Sequence, residues 1–118
     1  MSAATVDNDC AHSNEVHLVG RVAATPELMD MPSGDELVTW RLVVERPPRE
    51  RLGRRAVDVV DCNAYLAKVR RSVSSWNPGD IVEVEGALRR RFYRTPAGQP
   101  ASRYSVQVTS VRRLSRAR

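Results

Sequence analysis

The side chains that could do chemistry in this chain are arginines, and they are unevenly placed. Nine stand between Gly86 and Arg118, where there is no acidic residue. The preceding 85 residues carry fourteen acids against ten bases, so the net charge of +5 comes entirely from the C-terminal third. Only Lys68 among the nineteen basic residues is not an arginine. A guanidinium is a planar fork that pairs with phosphate and stacks on flat rings. Arginines two apart on a strand leave one face of a sheet, and an unbalanced face of that kind attracts a polyanion. Other chemistry finds little support. His17 occupies an alternate strand position with no serine, cysteine or carboxylate constellation beside it, which suits a surface or interface residue. Cys10 and His12 have no second Cys/His pair at ligand spacing, so they read as a tail thiol and a tail imidazole, not a metal site. No glycine loop of the phosphate-cradling kind is present. The expectation is a binding protein with no catalytic residue, metal, cofactor or small-molecule substrate.

The frame for these arginines is a single domain, since 118 residues suffice for one apolar core. No run of eighteen apolar residues offers a membrane span. Met1–Ser13 lacks a basic start and an apolar stretch, so it reads as a disordered polar arm and not a signal peptide. A cytoplasmic location is expected, and with it no disulfide between Cys10 and Cys62.

Alternation of apolar and polar residues marks the strands. Asn14–Ala23 places Val16, Leu18, Gly20 and Val22 on one face and Glu15, His17, Val19 and Arg21 on the other. Gly20 there suggests a bend of the sort that curls a sheet. Leu28–Met31 is a short extended piece before the turn Pro32–Asp35. Glu36–Glu45 turns Val38, Trp40, Leu42 and Val44 one way and Thr39, Arg41 and Val43 the other. Arg46–Arg55, with two prolines, a glycine and five arginines, reads as a long mobile loop. Ala56–Ala64 is a third strand. Tyr65–Trp76 switches to helical spacing through Leu66, Val69, Val73 and Trp76, and stops at Asn77-Pro78-Gly79. Ile81–Tyr93 is a long strand with Val82, Val84, Gly86, Leu88 and Phe92 inward. A turn at Thr95–Pro100 leads to the return strand Ser102–Leu114 and a basic end, residues 115–118. Three strands, a helix and two strands is the order of an all-β, five-stranded Greek-key barrel of the oligonucleotide-binding (OB) type, over residues 14–114.

Several stretches resemble the bacterial single-stranded-DNA-binding proteins. Asn14-Glu15-Val16-His17-Leu18-Val19-Gly20-Arg21-Val22 is similar to the opening strand of that family. Pro26-Glu27-Leu28 and Met31-Pro32-Ser33-Gly34 resemble its next two landmarks. Asn77-Pro78-Gly79-Asp80-Ile81-Val82-Glu83-Val84-Glu85-Gly86-Ala87-Leu88-Arg89 resembles its strand after the helix, and Gly98-Gln99 with Arg103-Tyr104 its last hairpin. The resemblance implies bases stacked on aromatics and a backbone tracked by basic residues. It places stacking tryptophans at or near Pro48 and at Val59, a stacking phenylalanine at Tyr65 and a further tryptophan at Tyr93. Two of four platforms are therefore lost. Arg89 and Arg91 keep basic positions; Asp61 replaces a base. The resemblance also implies a homo-oligomer, dimer or tetramer, built through the first strand. The chain ends Arg116-Ala117-Arg118 where the family carries an acidic tail, so repair partners that read such a tail are not expected.

The expected nucleic-acid-binding set is Arg21, Arg41, Arg49, Arg51, Arg54, Arg55, Tyr65, Arg89, Arg91, Tyr93 and Arg103. Tyr93 is favoured as a platform because it shares a face with Arg89 and Arg91. Trp40 and Trp76 lie on apolar stripes and are expected in the core. Glu83 and Glu85 are expected to pair with arginines, Arg70 and Arg71 to lie on a solvated helix face, and Arg112, Arg113, Arg116 and Arg118 to be auxiliary. The function expected is binding of single-stranded DNA, with little sequence preference, in replication, recombination or repair. The alternative is a protein–protein adaptor on the same fold, a replication-restart accessory or assembly component, with weak or no DNA binding.

Overall fold

The computed structural model describes residues 11–118; Cys10 and most of the N-terminal arm lie outside the described residues. Six strands and one helix follow in order: β1 (Val16–Val22), β2 (Glu27–Asp30), β3 (Glu36–Glu45), β4 (Val57–Ala64), α1 (Ala67–Ser74), β5 (Ile81–Arg94) and β6 (Pro100–Ser115). The extended piece after β1 is thus a true strand, paired antiparallel with β3 from Glu27↔Thr39 to Asp30↔Glu36. The sheet runs β1-β5-β6-β4-β3-β2 and closes because β1 also meets β3 at Arg21↔Val43 and Val22↔Leu42. Strands β4 and β6 meet in parallel at Cys62↔Val106 and Asn63↔Gln107. This is the OB-fold barrel that the element order predicts.

Alternation decides what lies inside. Val22, Val38, Trp40, Leu42, Cys62, Ala64, Val82, Val84, Val106 and Val108 form the core with Val69, Val73 and Trp76 from the helix side. Trp40 and Trp76 are buried as expected, and meet edge to face with centroids 5.6 Å apart. Such pairs add ~0.5–1.5 kcal/mol beyond area burial. Burial also holds the Cys62 thiol far from ionisation: its pKa is pushed up to about 12, with the charge of Asp61 adding to the effect.

Closure needs two close approaches. A Cβ on Gly20 would stand 2.5 Å from the carbonyl oxygen of Val43, and one on Gly86 2.1 Å from that of Gln107. Glycine is required at both because no larger residue lets the backbones come so near. The register of β5 on β6 slips beside Gly86, at Glu85/Gly86, as a bulge permits.

The last turn of the barrel is latched by Asp80, 1% exposed. Its carboxylate accepts the backbone N–H of Asn77 at 2.9 Å and of Ala117 at 2.7 Å, and faces Arg113 Nη1 at 3.6 Å. Its backbone carbonyl accepts the N–H of Val22 at 2.9 Å. One residue therefore ties the end of the helix to β1 and to the C-terminal end. Arg113 is a partner in this latch, not an auxiliary solubilising charge. Arg70 also departs from expectation: it is largely covered and pairs with Glu36 at 3.3 Å, because β3 begins beside the helix.

The hairpin of β5 and β6 is longer than the barrel. Inward parity continues past its end, where no further layer of the described residues covers it. Leu88 is therefore 45% exposed and Phe92 74% exposed, contrary to their expected inward placement.

Two predictions follow from these constraints. Gly86→Ala should lose at least ~1–3 kcal/mol of stability by overpacking, read as a lower urea midpoint. The backbone N–H groups of Asn77 and Ala117, then Arg113, hold the Asp80 carboxyl below its ordinary range. A depressed folded pKa contributes stability that is complete above the unfolded value, near 4, and is lost as pH falls through the folded one. Asp80→Asn should be less stable than the unaltered chain at neutral pH, and the gap should close on acidification below about pH 4. A constant gap down to acid pH would show that the carboxylate charge is not what the latch uses.

Candidate nucleic-acid interface

Strand register brings the outward positions of four strands onto one open face. Arg41 lies opposite Asp61 and Thr39 opposite Asn63 across β3 and β4. Arg89 lies opposite Ser105, Arg91 opposite Arg103 and Tyr93 opposite Ala101 across β5 and β6. The hydrogen bond from Asn63 Nδ2 to Ser105 Oγ, 2.9 Å, joins the two halves. With Ala24, Thr25, Glu27 and Met29 forming one wall, Thr39, Arg41, Asp61, Asn63, Arg91, Tyr93, Arg103 and Ser105 line an open groove of about 600 Å³. That volume lies within the ordinary range for binding clefts.

Charge in the groove is positive but partly compensated. Asp61 Oδ1 receives Arg41 Nε at 3.2 Å, and Oδ2 receives Arg103 Nε at 3.0 Å. One carboxylate thus pairs with two guanidiniums, which leaves a surplus charge. Arg91 has no ion pair among the described residues. Tyr93 is 46% exposed beside it. A half-exposed ring flanked by guanidiniums can stack a flat group while the arginines pair with anions.

Of the eleven residues predicted from sequence, Arg41, Arg91, Tyr93 and Arg103 meet in this groove. Arg89 lines a separate depression with Asn14, His17, Glu85 and Gln107, beside β1. Arg21 is exposed at the end of β1, and Tyr65 is exposed between β4 and α1. The loop carrying Arg49, Arg51, Arg54 and Arg55 is more built than its composition suggests. It holds a 3-10 turn at Pro48–Glu50 and a small bridge between Leu52 and Arg55. Arg46 anchors its base by a forked contact with Asp58, Nε to Oδ2 at 3.0 Å, and Arg51 Nε donates to the Arg46 carbonyl at 3.0 Å. Arg49, Arg54 and Arg55 are exposed around it. The sequence reading missed Asn63 and Ser105 as the floor of the groove. Parity on β4 places Asn63 with Asp61, but only the parallel β4–β6 contact brings Ser105 there.

Outside the groove, Glu83 pairs with His17 Nε2 at 2.7 Å and accepts from Arg112 Nε at 3.1 Å. These contacts, His17 first, hold its carboxyl below the usual range. Arg112 is therefore committed to Glu83, as expected for that acid, and is not an auxiliary free cation.

Residues 13–114 match the Single-strand binding protein family. The chain belongs to that family. Among curated relatives, it is 32% identical over 101 residues to "Single-stranded DNA-binding protein A" of Bacillus subtilis (strain 168), covering 86% of this chain and 59% of the relative. It is 30% identical to "Single-stranded DNA-binding protein 1" of Staphylococcus aureus (strain COL), covering 86% of this chain and 60% of the relative. The chain thus spans about three-fifths of the length of these relatives. Among solved structures, its fold is similar to that of "Plasmodium falciparum SSB complex with ssDNA", with a TM-score of 0.74 and 22% identity, over 88% of this chain and 96% of the other.

For this single-strand binding family member the groove geometry makes one electrostatic prediction. Asp61→Asn releases Arg41 and Arg103 from their shared carboxylate, so retention on immobilised heparin should shift to higher salt. Glu15→Gln makes the same change in net charge away from the groove and should shift it less. Equal shifts would show that net charge, not the groove, sets polyanion affinity.

Proposed function

We propose that this protein binds single-stranded DNA, without marked sequence preference, in replication, recombination or repair. The observation that carries the proposal is the groove in which Tyr93 stands beside Arg91, with Arg103 and Arg41 paired to Asp61. An aromatic ring among arginines on an open OB face suits unpaired bases, whose rings are accessible, better than a duplex, whose rings are stacked inside. Arginines supply the phosphate contacts. Trp40 also lines the groove but is only 5% exposed, so Tyr93 is the one exposed ring among the described lining residues, and charge carries more of the affinity than stacking does. The exposed arginines Arg49, Arg54 and Arg55 on the loop after β3, with Arg51 at its base, extend the basic surface along the path of the backbone. Arg21 and Tyr65 are auxiliary members of the same set. Family membership supports this reading, and the adaptor alternative has no observation of its own in its favour.

The protein acts as a homo-oligomer in this proposal. β1 is hydrogen-bonded to β5 along Val16–Arg21 but meets β3 only at Arg21 and Val22, so among the described residues its other edge has no strand partner from Val16 to Gly20. An open edge is a template for a strand of a second copy. A non-enzymatic role beside the nucleoid, in the cytoplasm, completes the proposal. No helix among the described residues is long and apolar enough to cross a membrane.

Titration of labelled oligo(dT) at several salt concentrations tests the binding. The slope of log K against log salt should be about −0.7 per neutralised phosphate. Tyr93→Ala should weaken binding by ~1–3 kcal/mol with the slope unchanged, whereas Arg91→Ala should reduce the slope by about one phosphate equivalent. Equal affinity for duplex, or a flat salt response, would sink the proposal.

A further inference from the structure

The hairpin has a second face. Even-numbered positions of β5 past the barrel, Leu88, Arg90, Phe92 and Arg94, point away from the groove that takes Arg91 and Tyr93. Across on β6, Tyr104 lies opposite Arg90 and Ser102 opposite Phe92. The result is an exposed aromatic patch: Phe92 is 74% exposed and Tyr104 58% exposed. Between them lies a guanidinium. Arg90 Cζ stands 4.8 Å from the Phe92 ring centre and 5.7 Å from that of Tyr104, and Arg90 Nη2 donates to Ser102 Oγ at 3.1 Å. Arg94 is held near the tip by donating to the Gly98 carbonyl at 2.9 Å. Neither arginine has a carboxylate partner among the described residues. This differs from the groove, where Asp61 takes up part of the charge.

We infer that this reverse face is a second platform for single-stranded nucleic acid, which passes from the Tyr93 groove around the hairpin edge onto Phe92 and Tyr104. The inference rests on the single-strand-binding reading of the groove and extends it to a site of its own. The chemistry of the patch selects the occupant. Two exposed rings offer stacking surfaces to unpaired bases, and two unopposed guanidiniums offer partners to the phosphates between them. A second copy of this chain docking face to face here would set Arg90 and Arg94 against their own equivalents, with no acid between Gly86 and Arg118 to relieve them. The ribbon is only two strands wide, about 5 Å between neighbours, so a flexible strand leaving Tyr93 has a short way to go.

The test uses oligo(dT) of two lengths, one of about 8 nucleotides, enough for a single groove, and one several times longer. Phe92→Ala should bind the short oligonucleotide within about twofold of the unaltered chain and the long one on the order of tenfold more weakly, as loss of one stacked base implies. Tyr93→Ala should weaken both. Phe92→Trp should restore affinity for the long oligonucleotide, and its indole fluorescence should be quenched by the long one and not by the short. Circular dichroism checks that the variants keep the fold, which the exposure of the side chain leads one to expect. If Phe92→Ala binds both lengths like the unaltered chain while Tyr93→Ala does not, the reverse face is not a nucleic-acid site and the groove stands. If Phe92→Ala weakens both lengths equally, there is no separate second platform. If it alters the oligomeric mass in sedimentation and not the affinity, the patch joins copies of the chain, and the inference fails. Failure of the unaltered chain to bind either length removes the groove reading and this one together.

Discussion

Backbone crowding at two glycines governs this fold. The sheet can close only if β1 reaches β3 while still paired to β5, and at Gly20 that brings a carbonyl oxygen to where a side chain would begin. At Gly86 the same crowding against Gln107 sits beside the slip in register that lets β5 bend around the core. Once closed, the barrel divides every strand into an inner and an outer set with no further choice. The Asp80 latch then secures the seam, joining helix end, β1 and C-terminal end through backbone N–H groups. Hydrogen bonds from backbone to a buried carboxylate suit such a place, because the groups they join have no strand partner of their own.

The charge asymmetry of the chain becomes a division of labour in space. Arg112 and Arg113 are used on Glu83 and Asp80, so they hold the far end of β6 in place. Arg103 shares Asp61 with Arg41. Arg91, Arg90 and Arg94 keep no carboxylate among the described residues. The face thus carries two arginines that share one carboxylate and, on the hairpin, three that have none. Pairing orients a guanidinium, while the carboxylate that pairs with it would compete with any incoming anion. Asp61 sits where these two effects meet.

The hairpin is the part of the molecule least constrained by the core. Its root is pinned by Val82, Val84, Val106 and Val108, all buried. Beyond the pairing of Arg89 with Ser105 the same two strands run into solvent, and both of their faces carry aromatic and basic side chains. Tyr93 thus stands on an exposed ribbon that continues from a buried root.

Much of this was legible in the sequence. Alternation placed β1, β3, β5 and β6, a change of period placed the helix, and Asn77-Pro78-Gly79 placed its stop, because these signals arise from the same backbone and side-chain geometry that builds the elements. Trp40 and Trp76 were readable as core for that reason. The nine arginines without an acid between Gly86 and Arg118 marked an electropositive surface, though not which of them would be left unpaired. Tertiary structure alone decided which arginines were free. Asp61 finds Arg103 forty-two positions away, Glu83 finds Arg112, and Asp80 finds Arg113, and no local pattern encodes such meetings. It also decided that Leu88 and Phe92 are exposed. Alternation tells which way a side chain points relative to its sheet, but whether another layer waits there depends on where the barrel ends, and that is set by strands far away in the chain.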